Sequence, residues 1–275
     1  MTSAFAYTKD ELLLKVDNLC VNYSLPILKG VSFEIRDIKR PGLTQGQKVA
    51  LLAPSGMGKT QLFKRLAGLE PPSSGTVKIG AAQIPVQAGM VGVVPQNYLL
   101  FDHYTVMQSL MVAAGMRDKD PKHCRARCLD LLESFGLTGK ADSYPGELSG
   151  GQRQRISIAE QLLSSNHFLL MDEPFSGLDI LMKKVVCNVI DAVASRDELN
   201  TIIFSTHDVE SAVMIADTIL VLGRDRDEHQ NIIPGAKIKT TIDLIDRDLA
   251  WHQDVEHEPA FVPTVAEIKS LFPHL

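Results

Sequence analysis

The segment 49–67 reads VALLAPSGMGKTQLFKRLA and carries the strongest indication of the fold. Its first four residues are apolar and predict a short buried strand, while residues 61–67 have the spacing of a helix. Gly56 and Gly58, in the loop between them, permit a positive φ and a close approach of the backbone to a ligand. The N–H groups of such a loop and the start of the following helix bind anions. The stretch therefore predicts a strand, a phosphate-binding loop and a helix.

The Lys-Thr pair after the loop makes the prediction more specific. Lys59 is placed to reach β- and γ-phosphates, and the Thr60 hydroxyl to hold Mg²⁺. The usual pattern has glycine where this chain has Ala53, whose methyl group is tolerated if φ is negative. The alternative is a glycine-rich turn that only caps a helix. The predicted nucleotide contacts in this region are Pro54, Ser55, Gly56, Met57, Gly58, Lys59, Thr60 and Gln61.

A second apolar run, Phe168 to Met171, ends in Asp172-Glu173. An uninterrupted apolar run is typical of a central parallel strand covered on both faces. Carboxylates at its C-terminal end lie where open α/β sheets bind their ligands. Asp172 suits a Mg²⁺ shell, and Glu173 suits the polarisation of an attacking water. The alternative is a strand that ends in solvated acids.

Together these segments resemble the ATP-binding cassette (ABC) family, and the resemblance covers roughly residues 11–223. Residues 148–152 read LSGGQ and match its signature motif. Gln96 matches the Q-loop glutamine, residues 176–179 match the D-loop, and His207 matches the switch histidine. Tyr23 stands where the family has an aromatic residue that stacks on adenine. Taken alone, Gln96 is a polar loop residue and His207 a surface or capping residue. Tyr23 is an aromatic residue of a kind that packs for many reasons, and Tyr7 lies not far upstream.

The resemblance implies an α/β fold: a P-loop NTPase with a mostly parallel central sheet, an N-terminal antiparallel β subdomain and an inserted helical subdomain at about 97–160. The ABC ATPase domain is expected over 1–223. A short C-terminal extension of unknown role follows over 224–275.

The resemblance also implies ATP and Mg²⁺ as cofactors. Glu173 is then the catalytic base, His207 the clamp and Gln96 the γ-phosphate sensor, with Thr60, Gln96 and Asp172 around the metal. A homodimer is expected, in which the signature motif of one copy contacts the nucleotide of the other. The residues implied for that contact are Ser149, Gly150, Gly151 and Gln152.

Composition is that of an ordinary soluble globular protein, with 45% hydrophobic and 22% charged residues. The net charge of −5, without a basic stripe, argues against nucleic acid as a partner. No apolar run approaches the roughly 20 residues that span a bilayer. Residues 1–5 show no secretory signal. The expected location is cytoplasmic, peripheral on the inner face of the cell membrane.

The function these features favour is the ATPase subunit of a multi-chain transporter that imports a small solute. Residues 144–147, ahead of the signature, resemble importer-type members. Transmembrane permease chains are the expected partners, docking near Asn97 to Tyr104, and a solute-binding protein is a further one. The alternatives are a soluble ABC ATPase that acts on a protein partner, as in iron–sulfur cluster assembly, and a non-hydrolysing nucleotide sensor.

Three segments outside the motifs carry structural predictions only. Residues 35–43 are predicted to form a surface excursion and residues 232–245 a hairpin. Residues 264–272 are predicted to form a short helix with Thr264 as N-cap and Glu267 three residues later.

Overall fold

The computed structural model describes residues 6–165, 167–252 and 254–275. Residues 1–5, for which the sequence predicts no secretory signal, lie outside these ranges. The described chain forms a four-stranded and a six-stranded sheet, with helices packed around the larger one. The predicted fold class is therefore confirmed, whereas the domain limits at 97–160 and 223 stay predictions.

The central sheet is built from β3 (Gln47–Leu52), β6 (Gly92–Val94), β7 (Phe168–Asp172), β8 (Thr201–Thr206), β9 (Thr218–Gly223) and β10 (Lys237–Asp243). Their order is β10-β9-β3-β8-β7-β6, and only β10 is antiparallel to its neighbour. Both β3 and β8 are buried along their whole length, as expected for strands covered on both faces. The parallel strands bring the loop after β3, the acids at the C-terminal end of β7 and the loop after β8 to one edge of the sheet.

The smaller sheet is antiparallel and contains β1 (Thr8–Asn22), β2 (Pro26–Lys39), β4 (Ser74–Ile79) and β5 (Ile84–Pro85), in the order β2-β1-β4-β5. The predicted surface excursion is wrong for residues 35–39, because β2 continues through them and Lys39 pairs with Thr8. Ile35 and Ile38 are buried, so this end of the hairpin is part of the core. Only residues 40–43 form a turn.

The helices are α1 (Lys59–Leu66), α2 (Val106–Gly115), α3 (Pro121–Ser134), α4 (Gly150–Ser164), α5 (Ile180–Ala194), α6 (Val209–Ile215) and α7 (Phe261–Leu271). Short 3₁₀ turns lie at Thr138–Lys140, Pro145–Glu147, Val255–His257 and Phe272–His274. Helices α2, α3 and α4 pack on one another and form the inserted helical region. None of the helices in the described ranges is long and apolar enough to cross a membrane.

The C-terminal segment joins the central sheet. The hairpin predicted within 232–245 is wrong, because this segment supplies one strand, β10, whose partner is β9. The N-cap prediction is also wrong, since α7 begins at Phe261 and Thr264 is buried inside it. In both cases contacts outside the segment decide its structure: pairing with β9 in the first, and burial of Thr264 in the second.

Candidate nucleotide-binding and hydrolysis site

The loop between β3 and α1 has the backbone conformation that its glycines permit. Gly56 has a φ of 79° and Gly58 a φ of 91°, both in the left-handed region. A Cβ atom on Gly58 would lie 2.9 Å from Cγ2 of Ile27, so the loop also needs glycine there for space. Ala53 is fully buried and has no positive φ. The condition under which its methyl group is tolerated is therefore met.

Lys59 is the first residue of α1, and its side chain is only 8% exposed. Its Nζ donates to the carbonyl oxygen of Ala53 at 2.9 Å and forms an ion pair with Oε1 of Glu173, also at 2.9 Å. A buried ammonium is tolerated only when it is paired and hydrogen-bonded. The loop and the end of β7 are thus joined through this one side chain.

Asp172 links α1 to β8. Its Oδ2 accepts a hydrogen bond from Oγ1 of Thr60 at 3.0 Å, and its Oδ1 accepts from Oγ of Ser205 at 2.5 Å. The same Ser205 hydroxyl oxygen accepts from the backbone N–H of Glu173 at 3.0 Å. Sequence reasoning missed Ser205. Its place at the end of an apolar run was the available signal, but its pairing with Asp172 depends on strand register.

Glu173 has a φ of 49°, a conformation that non-glycine residues rarely adopt and that concentrates at functional sites. Its Oε2 lies 2.9 Å from Nδ1 of His207. The capping role left open for His207 belongs to Asp208, whose carboxylate accepts from the N–H groups of Glu210 and Ser211 at the start of α6. His207 therefore contacts the predicted base.

One cleft of about 490 Å³ is lined by Lys59, Asp172, Glu173 and His207. Gln96 reaches it and donates from Nε2 to Oγ of Ser176 at 3.1 Å. Ser176, in the segment that matches the D-loop, and Ile27 also line the cleft, and neither was among the predicted site residues. The predicted site residues that the structure brings together here are Ser55, Gly56, Gly58, Lys59, Thr60, Gln61, Gln96, Asp172, Glu173 and His207.

The remaining predicted residues lie outside the lining of this cleft. Tyr23 is beside α1, where its hydroxyl donates to Oε1 of Gln61 at 3.0 Å. Tyr7, the other aromatic considered, bonds to Asp246 and packs its ring against Trp251. Pro54, Met57 and the signature residues Ser149, Gly150, Gly151 and Gln152 are also absent from the lining.

The signature motif forms the first turn of α4. Ser149 is its N-cap: its Oγ accepts from the N–H of Gln152, whose Oε1 accepts in return from the N–H of Ser149. This reciprocal capping box satisfies the backbone N–H groups of Ser149 and Gln152 locally. Ser149 and Gly150 are nevertheless exposed.

Comparisons with known proteins agree with this geometry. A family model described as "ABC transporter" matches residues 39–176. The chain is 38% identical over 226 residues to sulfate/thiosulfate import ATP-binding protein CysA 2 of Rhizobium meliloti (strain 1021), which covers 78% of this chain and 59% of the relative. It is 40% identical over 188 residues to the CysA of Synechococcus elongatus, covering 67% and 54%. The chain thus spans less than two thirds of the length of these relatives.

Two solved structures share the fold. The cbiO1 protein of Clostridium perfringens, part of the ABC transporter complex cbiONQ, superposes with a TM-score of 0.71 at 24% identity, covering 87% of this chain and 93% of that one. An ATP-binding cassette solved as a dimer in a post-hydrolysis state with ADP and Pi gives 0.66 at 21% identity, covering 84% and 99%. With the family model matching half of its length, this chain belongs to the ABC transporter family.

Proposed function

We propose that this chain binds Mg-ATP, hydrolyses it, and thereby powers a multi-chain membrane transporter that imports a small solute. The observation that carries the proposal is the gathering of Lys59, Asp172, Glu173 and His207 at one edge of the sheet. The import ATP-binding proteins among its relatives support coupling to transport. They also favour the importer over a soluble ABC ATPase.

The residues of the cleft fit Mg²⁺ and a triphosphate. The Thr60 hydroxyl and the Asp172 carboxylate lie 3.0 Å apart and are hard oxygen donors of the kind Mg²⁺ prefers. The side-chain amide of Gln96 lines the same cleft and is the third proposed contact. Beside Gly56 there is open space, so phosphate oxygens can approach the loop backbone. When bound, Mg²⁺ neutralises charge on the β- and γ-phosphate oxygens.

The chain's own groups supply positioning and proton transfer. A phosphate entering the loop competes with Glu173 for the ammonium of Lys59, because both are anions and Lys59 pairs with Glu173 directly. Glu173 is then free to orient a water molecule and accept its proton, while His207 holds the other carboxylate oxygen. The Ser205 hydroxyl fixes Asp172 and the backbone of Glu173 relative to each other.

We further propose that the signature residues act on a second copy of the chain. Ser149 and Gly151 would contact the γ-phosphate held by the partner copy, with Gly150 and Gln152 beside them. The exposed position of Ser149, outside the lining of the cleft, supports this division. So does the dimeric state of one structural neighbour. Bound ATP would then hold the two copies together, and hydrolysis would release them.

The proposed docking site for the permease chains follows Gln96 directly. Leu99 and Phe101 there leave 75% and 54% of their surface exposed, which is typical of an interaction surface rather than a core. The chain would sit on the cytoplasmic face of the cell membrane, with a solute-binding protein on the other side. Sulfate and thiosulfate are the first solutes to test, because the relatives are named for them.

Phosphate release from Mg-ATP, measured beside ATP titration, tests the proposal. Lys59→Ala should abolish both ATP binding and phosphate release, because it removes the main side-chain charge that contacts the phosphates. Lys64→Ala, on the same helix but outside the cleft lining, is the matched control and should retain both. Unchanged affinity and turnover in Lys59→Ala would overturn the phosphate site. ATP binding without phosphate release, even with the permease present, would indicate a sensor.

A further inference from the structure

A buried arginine lies behind Tyr23. The Arg65 side chain on α1 is only 5% exposed, and its guanidinium points to three neighbours. One terminal nitrogen donates to Oη of Tyr23 at 3.3 Å. The other donates to Oε1 of Gln61 at 2.5 Å and forms an ion pair with Oε2 of Glu70 at 2.9 Å.

The Tyr23 hydroxyl closes this network. It donates to the same Oε1 of Gln61 at 3.0 Å, so Tyr23, Gln61 and Arg65 form a triangle of hydrogen bonds. The tip of Tyr23 is thereby tied down although the residue is 58% exposed. Gln61 in turn lines the phosphate cleft. The network connects an exposed aromatic ring to the helix that begins at the phosphate-binding loop.

Such anchoring has a direct consequence for ligand binding. An exposed aromatic side chain samples several rotamers, and a stacked base requires one of them, so binding must meet the cost of ordering the ring. Arg65 is itself fixed, because burial of its charge is tolerated only while Glu70 and Gln61 compensate it. A fixed donor behind the hydroxyl keeps the ring ordered before the ligand arrives.

We propose that Arg65 is a positioning residue for the nucleotide base, holding the Tyr23 ring and the Gln61 side chain in the arrangement that receives it. This inference rests on the proposed function, but it concerns the base alone. Inorganic tripolyphosphate carries a triphosphate chain without a base. Comparing its binding with that of ATP therefore separates base positioning from damage to the phosphate-binding loop.

Two variants and one matched control test the proposal. Arg65→Met removes the guanidinium but keeps a long unbranched side chain, and Tyr23→Phe removes only an exposed hydroxyl. Lys64→Met is the control, because Lys64 is adjacent, also pairs with Glu70 and makes no hydrogen bond to Tyr23 in the described chain. Tyr23→Phe keeps the test valid if Arg65→Met fails to fold.

We expect the Kd and KM for ATP to rise about threefold to tenfold in both variants, as for loss of one hydrogen bond. The kcat, the tripolyphosphate affinity and the Lys64→Met control should stay unchanged. The Arg65→Met, Tyr23→Phe double variant should have a Kd for ATP no higher than the higher of the two single-variant values. The reason is that both changes break one network. Unchanged ATP affinity in the variants, or an equal loss of tripolyphosphate binding, would overturn the role of Arg65. Failure of the wild type to bind ATP would overturn the proposed function itself.

Discussion

Polar groups in the cleft around Lys59 and those in the signature motif, residues 148–152, have different kinds of hydrogen-bond partner. In the cleft, Lys59, Glu173 and Asp172 bond to residues from distant parts of the chain, so this half of the site is assembled within one copy. The hydroxyl and the N–H of Ser149 bond to Gln152 of the same helical turn, and Ser149 is exposed. This contrast supports the proposal that one chain holds the phosphate-binding half of the site and that its signature motif acts on the nucleotide of a second copy.

The largest expected effect comes from placing a negative charge in the outward-facing half. Aspartate is as good an N-cap as serine, so Ser149→Asp should leave α4 and the thermal stability unchanged. Facing a phosphate across a dimer, however, its carboxylate costs several kcal/mol, and turnover should fall about a hundredfold or more. On the same preparation, ATP titration reports on the phosphate-binding loop, and phosphate release reports on the contribution of the signature motif.

Ser149→Thr is the control for that prediction, since it keeps both the cap and the hydroxyl and should stay active. ATP affinity of the Ser149→Asp monomer should equal that of the wild type. A strong loss of monomer affinity would instead place Ser149 at the nucleotide of its own chain, and the contrast between the two halves would disappear.

An intermediate effect is expected on the pH dependence of stability, through a buried carboxyl group on α4, the helix that begins with the signature motif. Glu160, on α4, is buried against Ser109 of α2, and burial raises its pKa to about 7. The folded state then binds a proton more tightly than the unfolded state between about pH 4.5 and 7. Stability falls as pH rises through this window, and the loss is complete above it. Buried Asp217, with its pKa raised to about 6, contributes with the same sign.

The free energy of unfolding of Glu160→Gln, relative to wild type, should therefore be about 1–3 kcal/mol higher at pH 8 than at pH 5. The reason is that the amide is never charged. Urea unfolding at the two pH values measures the difference. Glu133→Gln on α3, an exposed site, is the control and should change neither value. If Glu160→Gln retained the full wild-type pH dependence, the buried Glu160 carboxyl would not be its source.

The smallest effect is expected at Ala53, inside the complete half. Ala53→Gly should change turnover by less than tenfold and lower stability by about 1 kcal/mol or less, because glycine adds freedom to the unfolded chain. Gly58→Ala should be far more harmful, since its φ is 91° and Ile27 occupies the space of a Cβ. A larger effect at Ala53 on phosphate release would show that its methyl group sets the loop conformation.

The same contrast explains what could be predicted from sequence. The phosphate-binding loop and the acids at the C-terminal end of β7 are encoded by adjacent residues, and the structure places them in the predicted elements. The role of Ser205 and the contact between Gln96 and the D-loop residue Ser176 were not predicted, because they depend on strand register and on loop packing.

The wrong predictions have the same origin. Residues 35–39 have a polar pattern that hides two core positions, and their pairing with the start of β1 is not encoded locally. The strand at 237–243 pairs with an edge of the central sheet rather than with its own neighbours. Such long-range pairings cannot be inferred from one segment.

The division of the site between two copies is tested most directly by Glu173→Gln in size-exclusion chromatography with Mg-ATP. The amide keeps the shape of the carboxylate and can still bond to His207, but it cannot accept the proton of the attacking water. We predict a monomer without nucleotide and a stable dimer with Mg-ATP. Wild type should show the dimer weakly, and the Glu173→Gln, Ser149→Asp double variant should remain monomeric. A Glu173→Gln variant that binds ATP yet stays monomeric, with or without the permease, would contradict the account.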